Sequence, residues 1–131
     1  MITPDWSSSL VDPRAIREVL GSPPPPLTDY DLLSVHIDER ESSVTLGFFA
    51  FGFPAGAAAQ WEAKGHNAVE FFLICTGVED LAVDGWSIDP FTFVSLTGSH
   101  LELGGDGNRM SFRAAHINAD TPVGRLASRV Q

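Results

Sequence analysis

The first clear hydrophobic period along the chain lies between Leu10 and Gly21, where Ile16, Val19 and Leu20 make an apolar stripe at helical spacing. Asp12 suits an N-cap, and Pro13 suits the first helical position, where its missing N–H costs nothing. Val11 and Ile16 have the spacing of a hydrophobic staple, and Gly21 offers a left-handed exit. These signals predict a short helix over about residues 12–20. Residues 22–26, Ser-Pro-Pro-Pro-Pro, can neither continue a helix nor donate to a sheet, so a stiff polyproline-type connector is expected there.

From Leu32 onward the period falls to two. Leu33, Val35 and Ile37 alternate with Ser34, His36 and Asp38, as in a half-buried strand. After a charged turn at 38–42, Val44, Leu46, Phe48 and Ala50 share one strand face, while Phe49 and Phe51 make the other face apolar as well, which predicts cover on both sides. Residues 52–64 read as irregular or briefly helical around Trp61. The run Val69-Glu70-Phe71-Phe72-Leu73-Ile74-Cys75 predicts a central strand buried on both faces and ended by Gly77. A shorter strand at 79–84 would put Leu81 and Val83 inward. Further strands are expected at 91–96, at 100–103 and from Met110 to about Asn118, with the glycine-rich stretch 104–108 as a turn and the residues after Pro122 frayed or weakly helical. The resulting class is α+β, mostly β: an antiparallel sheet of six to seven strands with one short N-terminal helix.

Length and composition narrow this further. A chain of 131 residues with 44% hydrophobic residues and nine phenylalanines can build an aromatic-rich core without a covalent staple. One domain over 1–131 is expected, with the β-rich body at 27–119. No run of about 18 apolar residues is present, so no membrane-spanning helix is predicted, and the opening Met1–Trp6 has no basic n-region followed by an apolar stretch. Cys75 stands alone, which removes an internal disulfide and makes the cytoplasm the simplest expectation.

The net charge of −9 is unevenly spread. Residues 27–106 hold 13 acids against Arg40 and Lys64, whereas the two ends together hold six arginines and four acids. An acidic body of this kind repels phosphate backbones, which argues against nucleic-acid partners, and attracts basic proteins. The same acidity also serves solubility.

Residues able to carry chemistry are present but not in chemical arrangements. His36, His66, His100 and His116 show no metal-ligand spacing, and no Cys-x-x-Cys occurs. Cys75 sits in an apolar strand with no neighbouring cation to lower its pKa. No Gly-x-Ser-x-Gly elbow exists, and the 104–108 glycines lack both a Walker lysine and a following helix. Asp80 and Asp84 share the outward side of their strand, where a solvated face is the simpler reading. Trp6, Trp61 and Trp86 flank elements, a position that suits either core edges or interface anchors. No catalytic residue, metal ligand or cofactor is predicted.

Several short motifs then follow in a fixed order: Pro26-Leu27-Thr28-Asp29, Leu33-x-Ser-Val-x-Ile-Asp38, Val44-Thr45-Leu46, Trp61, Gly65-His66-Asn67-Ala68-Val69, Thr76-Gly77-Val78-Glu79-Asp80-Leu81 and Gly85-Trp86. This order resembles the immunity protein 50 family, bacterial proteins predicted to neutralise toxins of polymorphic toxin systems. Thr28-Asp29 stands where such members often have His-Asp. The resemblance runs from about Pro26 to Ile117 and offers no catalytic residues. Its motif residues read as structural, with Gly77 permitting a turn or bulge and Trp86 packing. It implies a non-enzymatic, monomeric or weakly dimeric protein that binds a cognate toxin domain, basic if the acidic body steers it. Asp38, Glu39, Glu41, Asp80, Asp84 and Trp86 are the expected partner-binding residues. The alternative is a small-ligand-binding domain or enzyme, with a pocket between sheet and helix that includes His36 or His116.

Overall fold

A computed structural model describes residues 5–51, 65, 67–85 and 91–125. The period-two segments become strands β1 (Asp31–Asp38), β2 (Ser43–Phe51), β3 (Ala68–Asp84), β4 (Phe93–Thr97), β5 (His100–Gly104), β6 (Arg109–Ala119) and β7 (Val123–Arg125). The helical period becomes α1 (Arg14–Leu20), and single 3-10 turns form at Trp6–Ser9 and Leu27–Asp29. All pairings are antiparallel, in the order β1-β2-β3-β6-β5-β4. β7 pairs with Ala68–Glu70 of β3, continuing the line of β6, which pairs with Leu73–Asp84. The mostly β architecture with one short N-terminal helix is the class expected from the periodicity.

The alternation also builds the core. Val44, Leu46 and Phe48 of β2 stand beside Cys75, Leu73 and Phe71 of β3, and all six are buried. Leu101 and Leu103 of β5 pair with Phe112 and Met110 of β6 and with Leu96 and Val94 of β4, extending the same cluster. The N-terminal segment roofs this face with Trp6, Leu10, Ile16, Leu20, Leu27 and Tyr30. At its centre the Phe71 ring stacks with Trp6 and Phe48, at centroid separations of 5.7 and 5.2 Å, and meets the edge of Tyr30 at 5.0 Å. The Trp6 indole N–H donates to the Pro25 carbonyl at 2.8 Å, tying the proline connector to the roof.

Several local expectations are corrected. The helix starts at Arg14 with Pro13, not Asp12, as its N-cap. Asp12 stands one residue earlier with its carboxylate accepting the Arg14 N–H at 3.1 Å, and Val11 is 59% exposed and forms no staple with Ile16. The backbone does that work instead, since the Val11 N–H donates to the Ile117 carbonyl of β6 at 2.9 Å. In β1 the register shifts between Leu32 and Ser34, and one extra residue puts Leu32, not Leu33, on the side of Val35. Leu32 and Val35 therefore pack on the core while Leu33 is exposed; Ile37 keeps the parity of Val35 opposite Val44 but is 43% exposed at the end of the strand. Phe51 is likewise exposed, and its ring meets half-buried Phe49 edge-on at 5.1 Å. Of the residues after Pro122, expected to be frayed or weakly helical, Val123–Arg125 form β7.

The largest departure is in β3. Gly77 does not end the strand. It takes a left-handed φ of 63°, close enough to Ala115 that an added Cβ would lie 2.7 Å from that methyl group, and the strand continues to Asp84. A second left-handed residue, Asp80 at φ 57°, sits in a register shift between Glu79 and Ala82. The parity of burial in β6 changes opposite this region, from Met110, Phe112 and Ala114 to Ile117. Because β2 reaches only as far as Cys75, the second half of β3 has one strand neighbour among the described residues, and Leu81 and Val83 are exposed instead of inward. The even positions of the first half, Phe72 and Ile74, are half-buried, so cover on the second face is partial. Residues 52–64, with Trp61 and the expected short helix, lie outside the described residues.

Candidate partner-binding surface

The turn between β1 and β2 is organised by Asp38, whose carboxylate accepts the N–H groups of Arg40 at 3.1 Å and Glu41 at 3.3 Å. Ser42 follows with φ 48°, and its carbonyl accepts the Val78 N–H at 2.9 Å. That bond sets the turn against the second half of β3. Asp38, Glu39, Glu41 and Asp80 are thereby brought to one end of the sheet together with Glu79, a residue outside the expected set. Glu39 and Glu41 are exposed and have no ion pair among the described residues.

Asp80 and Glu79 are partnered. The Arg113 guanidinium of β6 donates to one Asp80 oxygen from Nη2 at 2.6 Å and from Nε at 3.0 Å, and reaches Glu79 at 3.4 Å. All three side chains are more than half exposed, so the cluster contributes at most about 1 kcal/mol to stability and mainly sets side-chain direction. The same arginine lines a surface cleft of about 280 Å³ with Gly77, Glu79, Ser99 and Ala115. Sequence reasoning assigned Arg109 and Arg113 to a basic end separate from the acidic body. The antiparallel return of β6 folds them back onto it. The usable signal was the Glu79-Asp80 pair followed, one hairpin later, by isolated arginines at strand spacing.

Asp84 does not join this group. It stands opposite Arg109 in the β3–β6 register, four residues beyond Asp80, or about 13 Å along an extended strand. There it lines a cleft of about 560 Å³ with Phe93, Glu102, Asn108 and Arg109. Glu102 sits between His100 at 3.2 Å and Arg109 at 3.5 Å. The next residue, Gly85, runs against the Gly107 carbonyl with no room for a Cβ, so the end of β3 packs tightly on the 104–108 turn. Trp86, the remaining expected contact, lies outside the described residues.

The residue types that could carry catalysis are placed as structure. Cys75 is fully buried, and burial pushes its thiol up to about 12, far from thiolate formation at neutral pH. His36 and His116 are exposed, and neither lines the clefts above or the apolar cleft of about 390 Å³ between Tyr30, Leu32, Phe91 and Val94. Among the described residues no group of three or more His, Cys, Asp or Glu side chains could hold a metal ion. The glycine-rich stretch closes as a turn through the Gly105 N–H to the Asn108 carbonyl at 3.0 Å.

A family model described as Immunity protein 50 matches residues 12–121, from just before the helix through the end of β6. The chain belongs to the immunity protein 50 family. No curated protein and no solved structure gives a significant match. Membership in the immunity protein 50 family supports an immunity role and directs attention to the surface instead of to a buried cleft. No helix among the described residues is long and apolar enough to cross a membrane.

Proposed function

We propose that this chain is the immunity partner of a bacterial toxin in a polymorphic toxin system, and that it neutralises the toxin by binding and covering it in the cytoplasm. The observation that supports this reading most is the family match over residues 12–121 combined with the acidic end of the sheet, where Asp38, Glu39, Glu41, Glu79 and Asp80 converge through the Ser42–Val78 bond. The mechanism is steric and electrostatic. Carboxylates at the rim steer a basic toxin domain into encounter, and apolar contacts in the middle of an interface of standard size, about 1,600 Å² in total, slow its escape. No catalytic group, metal or cofactor takes part. The protein acts as one unit over its length, as a monomer or weak homodimer, with Asp84 and Trp86 at the margin of the same interface.

The test is co-expression with candidate toxin domains encoded by neighbouring genes, then titration of the purified pair at low and high ionic strength. The expected result is a one-to-one complex that abolishes toxicity and whose association rate falls as salt rises. Replacing Glu39 and Glu41 with lysine should slow association without unfolding the sheet. Affinity and association rate that stay constant across ionic strength would refute the steering. Failure of the complex to block toxicity would refute the immunity reading itself.

A further inference from the structure

The part of β3 that extends past β2 has an available side. Residues Val78–Asp84 pair with β6 along one flank. Among the described residues, the opposite flank makes one backbone bond, from the Val78 N–H to the Ser42 carbonyl, after which no strand accompanies it. Glu79, Asp80, Leu81, Ala82, Val83 and Asp84 are all exposed, with Leu81 at 39% and Val83 at 44%. A flank of this kind presents N–H and C=O groups that an incoming strand can take up. Strand edges that must stay unpaired commonly carry lysine, proline or a bulge. Val78–Asp84 has no lysine or proline, and its irregularity is confined to left-handed Asp80 and the register shift between Glu79 and Ala82, after which regular pairing with β6 resumes at Ala82.

Charge selects the occupant. The side chains of this stretch are negative at Glu79, Asp80 and Asp84. Arg113 beside the first two and Arg109 opposite the third offset part of that charge, and exposed Glu39 and Glu41 of the turn bonded to Val78 keep the region net negative. A second copy pairing edge to edge and antiparallel would set these carboxylates against one another, which is unfavourable. A segment carrying lysine or arginine at alternate positions meets the opposite field. Its intervening apolar residues would lie over Leu81 and Val83, which share one face of the strand.

We propose that the free flank of β3 takes up an extended basic segment of the partner protein as an eighth, antiparallel strand of the sheet. This rests on the reading of the chain as a toxin-binding protein and names the contact through which it binds. Main-chain hydrogen bonds supply affinity. The Leu81–Val83 face and the Asp84 carboxylate supply register.

The experiment uses the isotope-labelled full chain and three synthetic hexapeptides: alternating Lys-Val, the same peptide N-methylated at alternate amides, and alternating Glu-Val. At low salt the Lys-Val peptide should give saturable amide shifts at residues 78–84. The N-methylated peptide keeps the side chains but loses donors along one edge, and should bind about tenfold or more weakly. Asp84→Lys should weaken the Lys-Val peptide by about threefold with the rest of the spectrum unchanged. No saturable shift at residues 78–84, shifts confined to another face, or equal affinity for the N-methylated peptide would each overturn the proposal. The toxin-blocking assay is read separately. A chain that neutralises toxin while residues 78–84 ignore the Lys-Val peptide refutes the added strand alone, and one that binds the peptide there but leaves the toxin active refutes the immunity reading alone.

Discussion

Replacing Phe71 tests whether the ring cluster is the keystone of the fold. The side chain is 1% exposed and contacts three aromatic rings at centroid distances of 5.0, 5.2 and 5.7 Å. Truncating a buried phenylalanine to alanine typically costs about 3–5 kcal/mol through lost transfer energy and the cavity left behind. Each aromatic pair adds about 0.5–1.5 kcal/mol beyond buried area, so Phe71→Ala should fall in the upper half of that range. Phe71→Leu keeps most of the volume and loses the ring contacts, which predicts a smaller cost of about 1–2 kcal/mol. Urea unfolding followed by far-UV circular dichroism reads both, with an unchanged m-value as the sign that the native state is intact. At about 4 °C per kcal/mol for a chain of this length, the alanine variant should melt about 15 °C lower. An alanine cost below about 1.5 kcal/mol, or equal costs for leucine and alanine, would refute the central role of the cluster.

Three further outcomes follow from local geometry. Gly77 and Gly98 have nearly the same left-handed φ, 63° and 60°, but an added Cβ meets Ala115 at Gly77 and nothing within 4 Å at Gly98. Alanine at Gly98 should cost about 1 kcal/mol of backbone strain, whereas alanine at Gly77 should cost about 2–3, and parallel urea melts separate the two. Burial raises the Cys75 thiol and the Tyr30 phenol, each to about 12, so both favour the fold while neutral. Their contribution is intact below the unfolded-state values, about 8.5 for thiol and 10 for phenol, and is lost as pH rises toward 12. The urea midpoint should therefore fall between pH 8 and 10.5, less steeply in Cys75→Ala; an identical slope would remove the thiol from the account. Arg113→Ala should change stability by no more than about 1 kcal/mol, since its pairs with Asp80 and Glu79 are exposed, and a larger loss in a denaturant melt would mean that these pairs lock β3 to β6.

Much of the scaffold was legible because alternation and breakers report locally. Val44, Leu46 and Phe48 announced their face, the tetraproline announced a connector, and Ile16 and Leu20 announced the buried side of the helix. What escaped is what depends on partners distant in sequence. The extra residue between Leu32 and Ser34 exposes Leu33 without leaving a glycine or proline as a mark. Gly77 reads locally as a breaker, and only the run of β6 alongside shows it to be a kink in a longer strand. For the surface, the pattern suggested the acidic turn and Asp80 but could not bring them together. That depends on one backbone bond between Ser42 and Val78. Asp84 shares the outward side with Asp80 by parity alone, and the register places it opposite Arg109, about 13 Å further along the same strand.

The way β3 acquires its neighbours bears on when this protein can act. Its β2 side is available as soon as the hairpin has formed, but its other side waits for residues 109–125, which are synthesised last among the described residues. The N-terminal roof is held to the same late strand through the Val11–Ile117 bond, so neither the sheet nor its cover closes on a nascent chain that stops short of β6. Such long-range pairings are slow to nucleate and leave apolar strand surface open in the interval. A cell relying on this fold for protection would have no partial credit from incomplete chains, and its defence would begin only after β6 and β7 had left the ribosome and docked.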